Sequence, residues 1–270
     1  KKNSDILPIT VITDFSCNMR CCYCYEKMIS PTTGKISIDS IRNLVLWALK
    51  QKQYKHIAVS ILGGEPLMTH NIVFIDQLVH TIKSFNVDCS FSVVTNGLNV
   101  LKYIDNILIW GISSVQITLD GIEDVQNARR VPIENVNGFQ ATTAGISQLL
   151  KNNIDVSLRI NVDRNNVERL PELLEFISRQ GWCDHKLHPY IYPVTKSGCQ
   201  SYPILDSETE IFKMVLNAIE KCDDRIVKLF SLDFHGIKYI DSIVQGKTPS
   251  IKFRFCGISN QFVITNDGEI

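Results

Sequence analysis

Short apolar runs alternate with amphipathic segments along most of this chain, and that alternation constrains its fold more than any other feature. The runs fall at 9–13, 57–62, 91–95, 115–119, 156–160 and 187–192. Several are rich in Val and Ile, as strands buried on both faces are. Between them, 39–50, 72–85, 98–109, 139–150, 167–180 and 208–221 carry apolar residues at helical spacing. In the first of these, Ile41, Leu44, Val45, Ala48 and Leu49 share one face. Asp39 and Ser207 stand where N-caps belong, and Pro171 suits the first turn of a helix. Six strand–helix units in strict alternation predict an α/β fold of parallel strands with helices outside. A partial barrel and an open doubly wound sheet both satisfy this periodicity. In either one, chemistry belongs at the C-terminal ends of the strands.

After about residue 235 the pattern changes. Phe253, Phe255, Phe262, Val263 and Ile264, with Asn266-Asp267-Gly268 as the turn, predict a β-hairpin. Its returning strand would run past residue 270. The expected division is therefore a barrel over 1–235 and the start of an extension over 236–270. Lys plus Arg equals Asp plus Glu, at 28 each, so no strong basic field draws the chain to nucleic acid or anionic membrane. No apolar run approaches the roughly 18 residues of a membrane-spanning helix.

Nine cysteines, an odd number, exclude complete internal disulfide pairing. Cys17, Cys21, Cys22 and Cys24 cluster within one short stretch, which suits a metal better than a disulfide framework and points to a reducing, cytoplasmic setting. Cys17, Cys21 and Cys24 read C-x3-C-x2-C directly after the first predicted strand. Soft thiolates select zinc, copper(I) or iron–sulfur clusters. Cys22 also permits C-x4-C-x-C; Cys21 is favoured, because Cys22 and Cys24 lie too close along an extended loop to reach separate corners of a cube.

With aromatic Tyr23 just before the third cysteine, this segment resembles the signature of radical S-adenosylmethionine (SAM) enzymes. The resemblance implies a partial (β/α)6 TIM-like barrel and a [4Fe–4S] cluster held by the three cysteines. It also implies SAM chelated to the fourth iron and cleaved reductively to a 5′-deoxyadenosyl radical. An electron donor such as flavodoxin or ferredoxin is implied as well.

Motifs at later strand ends extend the likeness. Gly63-Gly64-Glu65-Pro66 is similar to the family motif that binds the methionine amine. Thr95-Asn96-Gly97 matches a motif after the third strand. Thr118-Leu119-Asp120-Gly121 resembles the Ser-Leu-Asp-Gly of the peptide-modifying branch, which makes Asp120 the expected catalytic residue. That branch often continues with His-Asp and Arg; this chain has Gln126-Asn127, with Arg130 at the Arg position. Arg159, amid apolar strand residues, needs a partner; the methionine carboxylate and a nearby Asp or Glu are the candidates. The segment 190–193 could border the adenine. His185 and His188 lack ligand spacing and read as ordinary, and Cys89, Cys183 and Cys222 as structural thiols; Cys199 is a candidate for a second site. Cys256, followed by Gly268, resembles the opening of a SPASM or twitch extension. This implies auxiliary [4Fe–4S] clusters completed beyond residue 270. The expected function is hydrogen-atom abstraction from a peptide or protein side chain, giving a thioether, a carbon–carbon crosslink or an epimer. Formylglycine formation of the sulfatase-maturase kind and a non-catalytic zinc or iron–sulfur protein are the alternatives.

Overall fold

A computed structural model describes residues 5–28, 36–51, 54–195, 206–220, 222–234, 244 and 262–265. Each of the six apolar runs forms a strand: β1 (Ile6–Ile12), β3 (His56–Leu62), β4 (Asp88–Thr95), β5 (Ile112–Thr118), β7 (Asp155–Val162) and β8 (Leu187–Pro193). Three-residue β2 (Met19–Cys21) and β6 (Arg130–Pro132) interrupt the series. Two further short strands, β9 (Ser231–Leu232) and β10 (Phe262–Ile264), join the two edges. The main sheet runs β10-β1-β3-β4-β5-β7-β8-β9, and every neighbouring pair is parallel. This is the partial TIM-like barrel, with eight described strands where the periodicity shows six. The extra two are too short to carry a period.

The helices are α1 (Ile38–Lys50), α2 (Ile72–Lys83), α3 (Ile104–Trp110), α4 (Glu123–Arg129), α5 (Gly138–Lys151), α6 (Leu170–Arg179), α7 (Glu208–Ile219) and α8 (Asp224–Val227). Their apolar faces bury alternate strand residues: Leu7, Ile9 and Val11 on β1, Ile57, Val59 and Ile61 on β3, Val156, Leu158 and Ile160 on β7. The opposite strand face lines the lumen and is small and polar. A cavity of about 260 Å³ lies there against Thr10, Ser60, Ser90, Ser92 and Ser114, toward the N-terminal half of the strands.

Several local expectations shift. Ser37, not Asp39, occupies the N-cap of α1, and Asp39 lies in its first turn. Ser207 caps α7 with a full capping box to Glu210, and Pro171 sits in the first turn of α6. The segment 98–109 is helical only from Ile104, because the Asn96-Gly97 turn holds the chain: Gly97 has φ +92°. Phe262–Ile264, expected in a hairpin, adds to the barrel sheet in parallel register with Ile9–Val11. The other hairpin residues, 253, 255 and 266–268, lie outside the described residues, as do Cys199 and Cys256. Among the described residues, no helix is long and apolar enough to cross a membrane.

Candidate active site

The cysteine loop leaves the C-terminal end of β1 and is clamped to the loop after β3. Gly64 N–H donates to Asp14 O at 2.8 Å, and Glu65 N–H to Ser16 O at 2.9 Å. Both glycines are required by this contact. A Cβ on Gly64 would lie 2.2 Å from Ser16 O, and one on Gly63 2.5 Å from Asp14 O; Gly63 also has φ +155°. The glycine pair thus brings its backbone against the cysteine loop itself. His70 props the same loop from outside, with Nε2 2.7 Å from Asp14 Oδ2 and 3.1 Å from Ser16 Oγ.

Glu65 is fully buried, and all its accepting capacity is turned inward. Oε1 accepts from Leu67 N–H (2.9 Å) and Thr95 Oγ1 (2.7 Å), and Oε2 accepts from Asn96 N–H (2.7 Å). Burial pushes its carboxyl above the ordinary range, and these three donors pull it back. Its carboxylate joins two strand-end loops. Pro66 is buried beside it. Asn96 continues the chain of contacts, donating to Asn18 Oδ1 (2.7 Å) and to Cys17 Sγ (3.7 Å). Burial pushes the Cys17 thiol up to about 11, so it is protonated near neutrality when no metal is bound.

On the other side of the loop, β2 pairs antiparallel with β6, setting Cys21 opposite Arg130. Behind this ribbon lies a buried polar network. The Tyr23 hydroxyl donates to Asp120 Oδ2 and accepts from Arg130 (2.8 Å) and from Asn161 Nδ2 (3.0 Å). Asp120 Oδ1 accepts from Asn161 N–H at 3.0 Å, and Arg129 Nε lies 3.8 Å from Asp120 Oδ2. Arg129 forks onto Asp163 at 3.1 and 2.9 Å and stacks over the Tyr23 ring. Asp120 is 2% exposed, with both oxygens engaged. This placement makes it a brace between the cysteine loop and β7.

Thr118 ends β5 in register with Arg159. Arg159 Nε donates to Asn161 Oδ1 at 2.8 Å, and its guanidinium stacks 3.8 Å over the Tyr192 ring. The Tyr190 hydroxyl donates to Gln116 Oε1 at 3.0 Å. These groups line the lumen beside the cysteine loop.

The model of the radical SAM superfamily matches residues 11–177, more than half of the chain, from β1 into α6. The chain belongs to the radical SAM superfamily. It is 23% identical to a cysteine-type anaerobic sulfatase-maturating enzyme of Clostridium novyi, over 94% of this chain and 70% of that relative. It is also 23% identical to a GTP 3′,8-cyclase of Helicobacter pylori, over 97% of this chain and 78% of that relative. The solved structure of native anSMEcpe with bound AdoMet and Kp18Cys peptide superposes with a TM-score of 0.71, covering 97% of this chain and 72% of that one at 18% identity.

Membership of the radical SAM superfamily implies a [4Fe–4S] cluster and SAM, and two observations fit them. Cys17, Cys21 and Cys24 are free thiols on one strand-end loop. The glycine pair seats that loop with no room for a side chain. Residue types alone did not single out Asn18, Arg129, Asn161, Asp163 or His70. Asn18 was findable from its place between two cysteines; the others are joined to the site only by the fold.

Proposed function

We propose that this radical SAM enzyme acts on a peptide or protein side chain, by the maturase chemistry that its strand-end motifs resemble. The observation that carries the reading is the junction of three motifs. The cysteine loop is hydrogen-bonded to Gly63-Gly64-Glu65, and through Asn96 to the loop after β4. In this reading Cys17, Cys21 and Cys24 hold the cluster, and Cys256 contributes to an auxiliary one. The backbone of Gly63 and Gly64 takes the methionine amine. Thr95 and Asn96 order the loop beneath, while Thr118 and Arg159 face the cofactor from the lumen. Tyr23 and Asp120 fix the loop's position. When bound, the cluster and SAM supply one-electron reductive cleavage and a carbon radical that abstracts hydrogen. The protein's own work is to seat the thiolates, orient SAM and exclude water.

The sulfatase-maturase relative and the peptide-bound anSMEcpe fold support a peptide substrate. A nucleotide substrate is the second reading, favoured by the GTP 3′,8-cyclase relative. Anaerobic reconstitution with iron and sulfide, followed by SAM and dithionite, tests the enzyme. Release of 5′-deoxyadenosine by wild type and its loss in Cys24→Ala are expected; equal release by both sinks the proposal. Supplying either a Cys- or Ser-bearing peptide or GTP, each deuterated at carbon, then separates the substrates. Deuterium enters 5′-deoxyadenosine from the one that is used.

A further inference from the structure

Arg130 is buried at 7% exposure, yet it makes no ion pair among the described residues. Its NH1 donates to Tyr23, and its Nε is a buried donor with no partner. Asp120 acts on Arg130 across the Tyr23 hydroxyl that the two share, and a buried guanidinium is costly unless anions face it.

The ribbon register shows what else faces the guanidinium. Cys22 N–H donates to Arg129 O, and Ile133 N–H to Asn18 O. Residues of that parity exchange the ladder hydrogen bonds, which leaves Cys21 and Arg130 as a non-hydrogen-bonded pair. Such pairs bring their side chains closest, on the same face. Both residues point to the buried face of the ribbon, whereas Arg20 and Val131 point out.

We propose that Arg130 is the fixed counter-charge of the cluster held by Cys21, and that it raises the cluster's reduction potential. The proposal rests on the assignment of Cys21 as a cluster ligand. Three thiolates leave the cluster anionic, and each electron accepted adds another negative charge. A buried cation beside it stabilises the reduced form more than the oxidised one. Net charge and hydrogen bonds to sulfur are the levers by which a protein sets such potentials.

The test is a redox titration of reconstituted protein followed by EPR. Arg130→Met keeps the stem's volume and removes the charge; Arg130→Lys keeps the charge. With full iron and sulfide content, Arg130→Met is expected to show about tenfold less reduced cluster at a fixed potential, equivalent to a midpoint about 59 mV lower for one electron. Arg130→Lys is expected to stay near wild type. An unchanged midpoint in Arg130→Met overturns the proposal and leaves Arg130 a brace for Tyr23. Should that variant not fold, pulsed EPR on wild type labelled with 15N-arginine decides: a guanidinium coupling to the reduced cluster supports the contact, and its absence overturns it. Failure of wild type to assemble any [4Fe–4S] cluster would instead overturn the ligand assignment beneath it.

Discussion

The carboxylate of Glu65 holds the backbone N–H of Asn96 at 2.7 Å, across 31 residues of sequence, and so ties the loop after β3 to the loop after β4. The acidic residue of the Gly-Gly-Glu-Pro motif therefore organises the protein. Glu65→Gln keeps the shape but turns an N–H toward one of three donors. Leaving a buried donor unmatched costs about 1–3 kcal/mol. Urea unfolding should show a loss in that range, and SAM binding should weaken because Asn96 is released. A midpoint equal to wild type would show that the carboxylate accepts nothing essential.

The two kinds of glycine constraint in this chain separate experimentally. Gly111 ends α3 with φ +71° and open space around it, with Lys83 Nζ 3.6 Å away as the nearest atom. Gly111→Ala should cost about 1–2 kcal/mol, the penalty of a left-handed Cβ. Gly64→Ala instead drives a methyl into the Ser16 carbonyl at 2.2 Å, against backbone that cannot rotate away. It should cost more than Gly111→Ala in thermal unfolding, and iron incorporation should fall with it, because the displaced segment leads straight into Cys17. Full iron loading in Gly64→Ala would show that the loop tolerates the shift.

Asp14 gives the loop a pH dependence. Burial alone would raise its carboxyl, but hydrogen bonds from Ser16 and His70 outweigh this and hold it below its ordinary 3.8. An acid depressed in the folded state stabilises fully above its unfolded pKa and loses that contribution as pH falls through the folded one. Asp14→Asn should therefore cost about 0.5–1.5 kcal/mol at pH 5 and above, with partial solvent screening. The difference from wild type should begin to narrow as pH falls below about 4 and should close only below the depressed folded pKa, where both side chains are neutral. A gap that does not narrow at all as pH falls below about 4 would assign the effect to shape instead of charge.

The barrel was readable because each central strand is a Val- and Ile-rich run bounded by turn residues, a signal carried entirely within one window. The cysteine loop and the glycine pair were readable for the same reason. The β2–β6 ribbon was not. Three residues cannot establish a period, and Cys21 and Arg130 are 109 positions apart in the chain. Asp120 shows the limit most clearly. Its motif resembles that of a catalytic acid, yet the hydroxyl that occupies it comes from Tyr23, 97 residues earlier. Arg159 looked short of a carboxylate; Asn161, two residues along the same strand, and the Tyr192 ring take its guanidinium.

Arg129 and Asp163 form an enclosed ion pair, with side chains 7% and 2% exposed and two hydrogen bonds at 3.1 and 2.9 Å. Asp163 also accepts from Asn165 N–H at 2.9 Å. Removing one member of such a pair strands the other charge, at about 3–5 kcal/mol, whereas replacing both with apolar residues of similar volume is often close to neutral. Asp163→Asn should thus unfold at markedly lower urea, and Arg129→Met should do the same. The Arg129→Met, Asp163→Leu double variant should recover most of the loss, a coupling that a double-mutant cycle reads directly. Arg129 also stacks on Tyr23, so the double variant should remain short of wild type by about 0.5–1 kcal/mol. If the two single losses simply add, the pair acts as two separate anchors, and the cysteine loop is held by Asp120 alone.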